Sequence, residues 1–138
     1  MEKIRQIAKM ELILYKKDFD DFEAKICGVL ESVVSKGKTA IFRSIENMIE
    51  RIMHLTYNPE IAVLIIKSKE EFLQLYSSLN VLRRAEMLLV LTDRNPKTIM
   101  LGYKLKPQFS AYLHNDFWVI QTALKKMLVS LFPPDKVK

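Results

Sequence analysis

The chain has 138 residues, of which 49% are hydrophobic and 28% charged, and this size and composition are typical of one folded globular domain. Its one cysteine, Cys27, excludes an intramolecular disulfide and fits a reducing cytoplasm, while no apolar run approaches the roughly 20 residues that cross a bilayer. The net charge of +6 comes from dispersed lysines without an arginine-rich stripe, which favours a solvated basic surface over nucleic-acid binding. We therefore expect a single cytoplasmic domain over residues 1–138, with a lead-in at 1–9 and a tail at 133–138.

The first third of the chain predicts two strand–helix units. Residues 10–17 form an apolar run ended by lysines, and residues 18–36 carry apolar side chains three and four positions apart, the spacing of a one-sided helix. Asp18 is the expected N-cap of that helix. Residues 38–43 predict a short strand, and Ser44 is expected to cap a helix with apolar positions at Ile45, Met48, Ile49, Ile52 and Met53.

The middle of the chain predicts two buried strands around a third helix. Residues 61–66 and 87–91 are apolar without alternation, as expected of strands covered by helices on both faces. Between them, Ser68 and Glu71 have the spacing of a capping box and predict a helix start. That helix would carry its apolar side chains at Phe72, Leu75, Tyr76, Leu79 and Leu82.

The last third predicts two more helices around a fifth strand. Asn95 followed by Pro96 predicts a helix start, and we expect this helix to run to about Lys106 in spite of Gly102. Residues 109–113 predict the strand. The final helix is expected to be capped by Asn115 or Asp116 and to end before residues 133–134, which are both proline.

Five strand–helix units joined by short loops favour parallel strands with right-handed crossovers. We therefore predict a three-layer α/β/α sandwich around a five-stranded parallel sheet. Ligands of such sheets collect at the carboxyl ends of the strands. The candidate side chains at those ends are Lys16, Lys17, Arg43, Lys67, Thr92 and Asn115.

This layout resembles the receiver domain of bacterial response regulators, over about residues 9–132, and the resemblance implies the strand order 2-1-3-4-5. The segments 87–92 (MLLVLT) and 110–117 (SAYLHNDF) are similar to the family's fourth and fifth strands with their exits. In this alignment Thr92 stands where the family keeps a hydroxyl, and Tyr112 stands where many members have a switching aromatic.

The chain departs from the receiver pattern at each position that carries the family's chemistry. Lys16 and Lys17 replace the acidic pair that binds Mg²⁺, Lys67 replaces the phosphoacceptor aspartate, and Asn115 with Asp116 replaces the lysine–proline pair. Ammonium groups repel Mg²⁺, and a lysine cannot form an acyl phosphate. The resemblance therefore implies a receiver-like domain without the phosphoswitch, and we expect no metal and no cofactor.

A shifted frame would bring Asp18 to the position of the first-strand acid, but it would not supply an acceptor at the third strand. No pair of nucleophile and base, or of two acids, stands at the strand ends, so we do not expect an enzyme.

The first functional hypothesis is a signalling domain that binds a protein partner or a second copy of itself. In the receiver family this surface is commonly formed by the fourth helix, fifth strand and fifth helix. By resemblance the candidate residues are Lys97, Tyr103, Lys104, Tyr112 and Trp118.

The alternative hypothesis is a sensor that binds a small anion or a nucleotide through cations at the strand ends, namely Lys16, Lys17, Arg43 and Lys67. These cations would instead be structural if they paired with Asp18, Asp93 or Asp116. No glycine-rich loop follows any predicted strand, so the dinucleotide-binding and P-loop fingerprints are absent from the sequence.

Overall fold

The computed structural model describes residues 12–18, 21–33, 39–54, 61–112 and 117–131. Its five strands form one parallel sheet in the order β2-β1-β3-β4-β5, which confirms the predicted topology. The strands are β1 (Leu12–Lys16), β2 (Thr39–Phe42), β3 (Ile61–Ile66), β4 (Glu86–Leu91) and β5 (Phe109–Tyr112).

Helices cover both faces of this sheet, so the predicted three layers are present. In the described part of the chain the helices are α1 (Asp21–Val33), α2 (Ile45–Met53), α3 (Lys69–Tyr76), α4 (Leu79–Leu82), α5 (Pro96–Lys104) and α6 (Phe117–Leu131). Helices α1 and α6 pack on one face, and α2 to α5 pack on the other. None of the described helices is long and apolar enough to cross a membrane.

The central strands are buried throughout because both of their faces are covered. Along β1, Leu12 and Leu14 face α1 and α6, whereas Ile13 and Tyr15 face the helices of the opposite layer. The last residue of β1, Lys16, is also buried, with only 1% of its surface exposed. A charged side chain is thus enclosed at the carboxyl end of the sheet.

Three predicted helix starts are confirmed by their capping hydrogen bonds. The Ser44 hydroxyl accepts from the backbone N–H of Asn47 at 3.2 Å, and Ser68 forms the capping box with Glu71. The Asn95 side chain accepts from the backbone N–H of Lys97 at 2.9 Å, directly before the proline that opens α5. Each cap satisfies an N–H group that has no partner within its own helix.

The predicted cap of α1, Asp18, stays a prediction, because residues 19–20 between it and Asp21 lie outside the described residues. Two other predictions about the helices were wrong. The helix expected to run from Ser68 to Leu82 is divided into α3 and α4, because the Ser77 hydroxyl donates to the carbonyl of Gln74 and the chain turns before α4 begins. Met53, expected on the apolar face of α2, is its last residue and is 51% exposed.

Gly102 lies within α5, where it brings the helix close to the sheet. A Cβ atom at this position would stand 2.9 Å from a methyl group of Leu89 in β4. The glycine that interrupts the sequence pattern of this helix therefore allows a close approach, and a larger residue would require the Leu89 side chain to move. The expected caps Asn115 and Asp116, the lead-in at 1–9 and the tail at 133–138 lie outside the described residues.

Candidate functional site

The predicted site lies at the carboxyl end of the sheet, where β1 and β3 pair side by side. Lys16 pairs with Ile65 in the register of these two strands, so Lys67 follows β3 beside the segment that leaves β1. Strand β1 pairs with β2 on one side and with β3 on the other, so the chain reverses its direction across the sheet at this point. The pair β1 and β3 is therefore the topological switch point. The structure thus brings Lys16, Asp18 and Lys67 together.

The ammonium group of Lys16 is held inside the protein and forms part of the strand end. Its Nζ donates a hydrogen bond to the backbone carbonyl of Asp18 at 3.0 Å. Arg43, which follows β2, donates from Nη1 to the backbone carbonyl of Lys16 at 3.2 Å. Both cations therefore fix the path of the backbone where β1 ends.

Lys67 forms an ion pair with Asp18 across the switch point, with 3.7 Å between Nζ and Oδ2. Both side chains are partly exposed, so water screens the pair and its contribution to stability is small. Of the acids considered above as partners for the strand-end lysines, Asp18 forms such an ion pair. The Asp93 carboxylate instead accepts the backbone N–H of Asn95 at 2.9 Å. Lys17 is exposed, and Asn115 lies outside the described residues.

Glu71 is a central residue of this region, and its link to β1 was not predicted from the sequence. Its buried carboxylate accepts the backbone N–H groups of Lys67 and Ser68, each at 3.0 Å, through Oε1. The other oxygen, Oε2, accepts the hydroxyl of Tyr15 at 2.6 Å. Burial, and then the hydrogen bond to Glu71, raise the pKa of the Tyr15 phenol.

The capping-box spacing indicated that Glu71 would reach back to the start of α3. The sequence offered one further signal, which is that a tyrosine facing a covered side of the sheet needs a partner for its hydroxyl. The Tyr15–Glu71 hydrogen bond joins β1 to α3 and closes the region next to Lys67.

Thr92 and Tyr112 lie at the ends of β4 and β5, as the resemblance implied. The Thr92 hydroxyl donates to the backbone carbonyl of Ile66 at 3.5 Å, a long hydrogen bond between the exits of β4 and β3. The guanidinium of Arg94 lies over the ring of Tyr112, with 4.4 Å between its carbon and the ring centroid. This cation–π contact holds the loop after β4 against β5.

A second candidate region, which we name the α5–β5–α6 surface, contains Lys97, Tyr103, Lys104, Tyr112 and Trp118. Tyr103 is 75% exposed and Trp118 is 62% exposed, while Tyr112 is half-buried beneath Arg94. Met100, one helical turn before Tyr103 on α5, is also 62% exposed. Helix α5 therefore carries two large exposed side chains and two lysines, and α6 carries an exposed tryptophan.

Among the described residues, His54 is the one histidine, and potential metal ligands are not clustered. No cluster of three or more histidine, cysteine, aspartate or glutamate side chains suited to a metal ion occurs among them. His54 caps the carboxyl end of α2 and is exposed, and His114 lies outside the described part.

No family model and no curated protein matches this chain. Among solved structures it is similar to a pilus assembly-related protein from Burkholderia pseudomallei, with a TM-score of 0.64 and 13% identity over 88% of this chain and 91% of that chain. It is also similar to a response regulator from Thermotoga maritima, with a TM-score of 0.50 and 8% identity over 86% of this chain and 98% of that chain. At these identities the likeness shows the fold alone, which is the flavodoxin-like α/β fold of the response regulator.

Proposed function

We propose that this protein is a non-enzymatic, receiver-like signalling domain that acts through protein–protein contacts and does not use the receiver phosphoswitch. The observation that carries the proposal is the set of charged residues at the carboxyl end of the sheet. Where the receiver mechanism needs a free carboxylate after β3, this chain has Lys67, and the nearby acid Asp18 pairs with it.

The chemistry of phosphorylation supports this proposal. Acyl phosphate formation requires a carboxylate nucleophile and a Mg²⁺ ion held by several hard oxygen ligands. Lys67 offers neither, and the buried ammonium of Lys16 adds a positive charge beside the place where the ion would bind. A phosphoryl group would find two cations here but no nucleophile in the position of the family's acceptor.

The alternative of an anion sensor at the same strand ends has less support. Lys16 donates to a backbone carbonyl from inside the protein, and Arg43 donates to the backbone of Lys16. An anion that recruited these groups would have to replace contacts that hold the end of β1.

The α5–β5–α6 surface is the proposed contact region. Exposed aromatic side chains such as Tyr103 and Trp118 are the types that contribute most to binding hot spots. Lys97 and Lys104 on α5 add positive charge to this surface, so the partner surface is expected to be acidic as well as apolar. The fold shared with a response regulator also favours a role in signalling.

Exposure to a small acyl phosphate donor tests the chemical half of the proposal. The protein is incubated with Mg²⁺ and acetyl phosphate beside a working receiver domain, and its intact mass is measured. The expected result is no phosphate adduct on this chain under conditions that modify the control. An acid-labile adduct would contradict the proposal, and peptide mapping would then identify the acceptor.

A paired set of surface variants tests the interaction half. Tyr103→Ala with Trp118→Ala removes the exposed aromatic side chains, and the matched control, Leu73→Ala with Met53→Ala, removes exposed apolar side chains from α3 and α2. A partner cross-linked to the wild type, or a dimer seen by sedimentation, should be lost in the first pair and kept in the second. Retention in the aromatic pair, or equal loss in both pairs, would contradict the assignment of this surface.

A further inference from the structure

A basic cavity lies at the opposite end of the sheet from the candidate site, beside the amino ends of β4 and β5. It has a volume of about 290 Å³ and lies between the segment that enters β4 and the segment that enters β5. Its polar lining consists of Arg83, Arg84, Glu86, Lys106 and Gln108. The candidate residues predicted from the sequence lie at the carboxyl ends of the strands, and none of these five residues is among them.

Hydrogen bonds hold two of the residues that line this cavity. Arg84 donates from Nη1 to the carbonyl of Met53 at the end of α2, at 2.9 Å. The backbone N–H of Gln108 donates to the carbonyl of Met87 at 2.9 Å, which holds the second segment against β4. The cavity is therefore a defined part of the fold.

Lys106 holds an unusual backbone conformation at the mouth of this cavity. Its φ of +53° lies in the left-handed region, and it is the one non-glycine residue with positive φ in the described part of the chain. Its N–H donates to the carbonyl of Tyr103 just after the end of α5. Glycine adopts the left-handed conformation at this position of a helix with less steric cost than other residues. A lysine therefore occupies this position at a conformational cost, and it is one of the residues that line the cavity.

The cavity carries an excess of two positive charges, because three cations and one carboxylate line it. In the described part of the chain none of these three cations forms an ion pair, whereas Lys67 at the other end of the sheet is paired with Asp18. An arginine guanidinium is a planar fork of donors that matches the oxygens of a phosphate group, and a lysine ammonium adds a further point of charge.

We infer that this cavity binds a phosphate group, either as free phosphate or as the phosphate of a small ester. A second cavity of about 230 Å³ shares Glu86 and Gln108 with the first and is also lined by Phe109, Lys126 and Met127. The organic part of an ester would extend across the shared wall, where the Glu86 carboxylate accepts a hydroxyl and the Phe109 ring offers an apolar contact. The cations of the first cavity hold the phosphate.

Calorimetric titration of the full chain with inorganic phosphate and with ribose 5-phosphate, at low and moderate salt, tests this site. The test variant is Arg83→Gln with Lys106→Gln, and the matched control, Lys69→Gln with Lys125→Gln, removes the same charge from exposed helical positions outside the cavity. Losing two charge-assisted contacts should weaken binding by about tenfold or more, whereas the control should stay within about twofold of the wild type.

The two ligands distinguish the sources of the phosphate group. Tighter binding of ribose 5-phosphate identifies an ester that also uses the second cavity, and equal binding identifies free phosphate as the ligand. No binding of either ligand to the wild type would overturn the inference, as would equal weakening in both variants. Amide NMR of the wild type gives an independent check, because shifts centred on Lys16, Arg43 and Lys67 instead of residues 83–87 and 106–108 would also overturn it.

Discussion

The two ends of the central sheet use their cations in opposite ways. At the carboxyl end, Lys16 and Arg43 donate to backbone carbonyls and Lys67 pairs with Asp18. At the amino end, Arg83 and Lys106 line a cavity and form no ion pair in the described part of the chain. At the carboxyl end, where ligands of such sheets usually bind, the cations are already engaged by contacts within the protein. At the amino end, the cations are in no ion pair among the described residues and line a cavity.

This difference shows that the position of a charged residue in an α/β fold is not enough to assign it a ligand. The rule that sites lie at the carboxyl ends of parallel strands describes where loops can converge. Whether a cation there binds a ligand depends on what already satisfies it. In this protein, short-range contacts from the turn after β1 satisfy Lys16 before any ligand arrives.

The largest expected effect on stability comes from Glu71→Ala, at the carboxyl end of the sheet. This change leaves the Tyr15 hydroxyl and the N–H groups of Lys67 and Ser68 without their buried acceptor. We expect the free energy of unfolding in urea to fall by about 2–4 kcal/mol. The control, Glu70→Ala, removes an exposed carboxylate one residue earlier in α3 and should change it by less than about 0.5 kcal/mol. Similar values for the two variants would mean that the Glu71 network does not hold this end together.

A smaller and pH-dependent effect is expected from Tyr15→Phe. The phenylalanine keeps the buried ring but leaves Glu71 Oε2 without its donor, so the loss at neutral pH should be about 1–2 kcal/mol. Because the folded state raises the pKa of Tyr15 above its ordinary value of about 10, the wild type should lose stability as the pH rises through the unfolded and then the folded pKa.

The Tyr15→Phe variant lacks this titrating group, so the stability gap between the two proteins should narrow in alkaline urea titrations. Tyr103→Phe, at an exposed position, is the control and should follow the wild type at every pH. A gap that stays constant to high pH would contradict the role given to the Tyr15 phenol.

At the amino end of the sheet, Lys106→Gly should both stabilise the protein and weaken its binding of phosphate. Glycine adopts the left-handed conformation without steric cost, so unfolding should require about 1 kcal/mol more. The control, Lys104→Gly, replaces the last residue of α5 and should have the opposite sign, with a loss of up to about 1 kcal/mol. A destabilised Lys106→Gly variant would show that the lysine contributes to the fold and would remove the argument that it is kept for a ligand.

The smallest effect is expected from Asp18→Asn. The change breaks the ion pair with Lys67, but both side chains are partly exposed, so stability should change by less than about 0.5 kcal/mol in urea denaturation. Asp93→Asn, at a second exposed acid near the strand ends, provides the comparison. A loss above about 2 kcal/mol confined to Asp18→Asn would show that this pair locks the domain in one state.

Much of the fold was predictable because its signals are local. The apolar run at residues 61–66 gave the bounds of β3, and the caps at Ser44, Ser68 and Asn95 gave the starts of three helices. The division between α3 and α4 was missed because it occurs at Ser77 and Ser78, and serine is a residue that also occurs inside helices.

The sites were less predictable because they depend on pairs that are distant in sequence. Tyr15 and Glu71 are 56 positions apart, and their contact follows from the pairing of β1 with β3 and the position of α3. The burial of Lys16 was missed because a lysine that ends an apolar run normally extends into water. The basic cavity was missed because the chain segments before β4 and β5 form it together.

The most direct test of the closed carboxyl end is the melting temperature of the full chain in Mg²⁺ alone and in Mg²⁺ with beryllofluoride. A ligand that binds only the folded state raises the melting temperature by mass action. We predict no difference between the two conditions, because Lys67 offers no carboxylate to beryllofluoride and Asp18 is paired. A clear rise that Asp18→Asn abolishes would contradict this account and show that the site retains a working receiver chemistry.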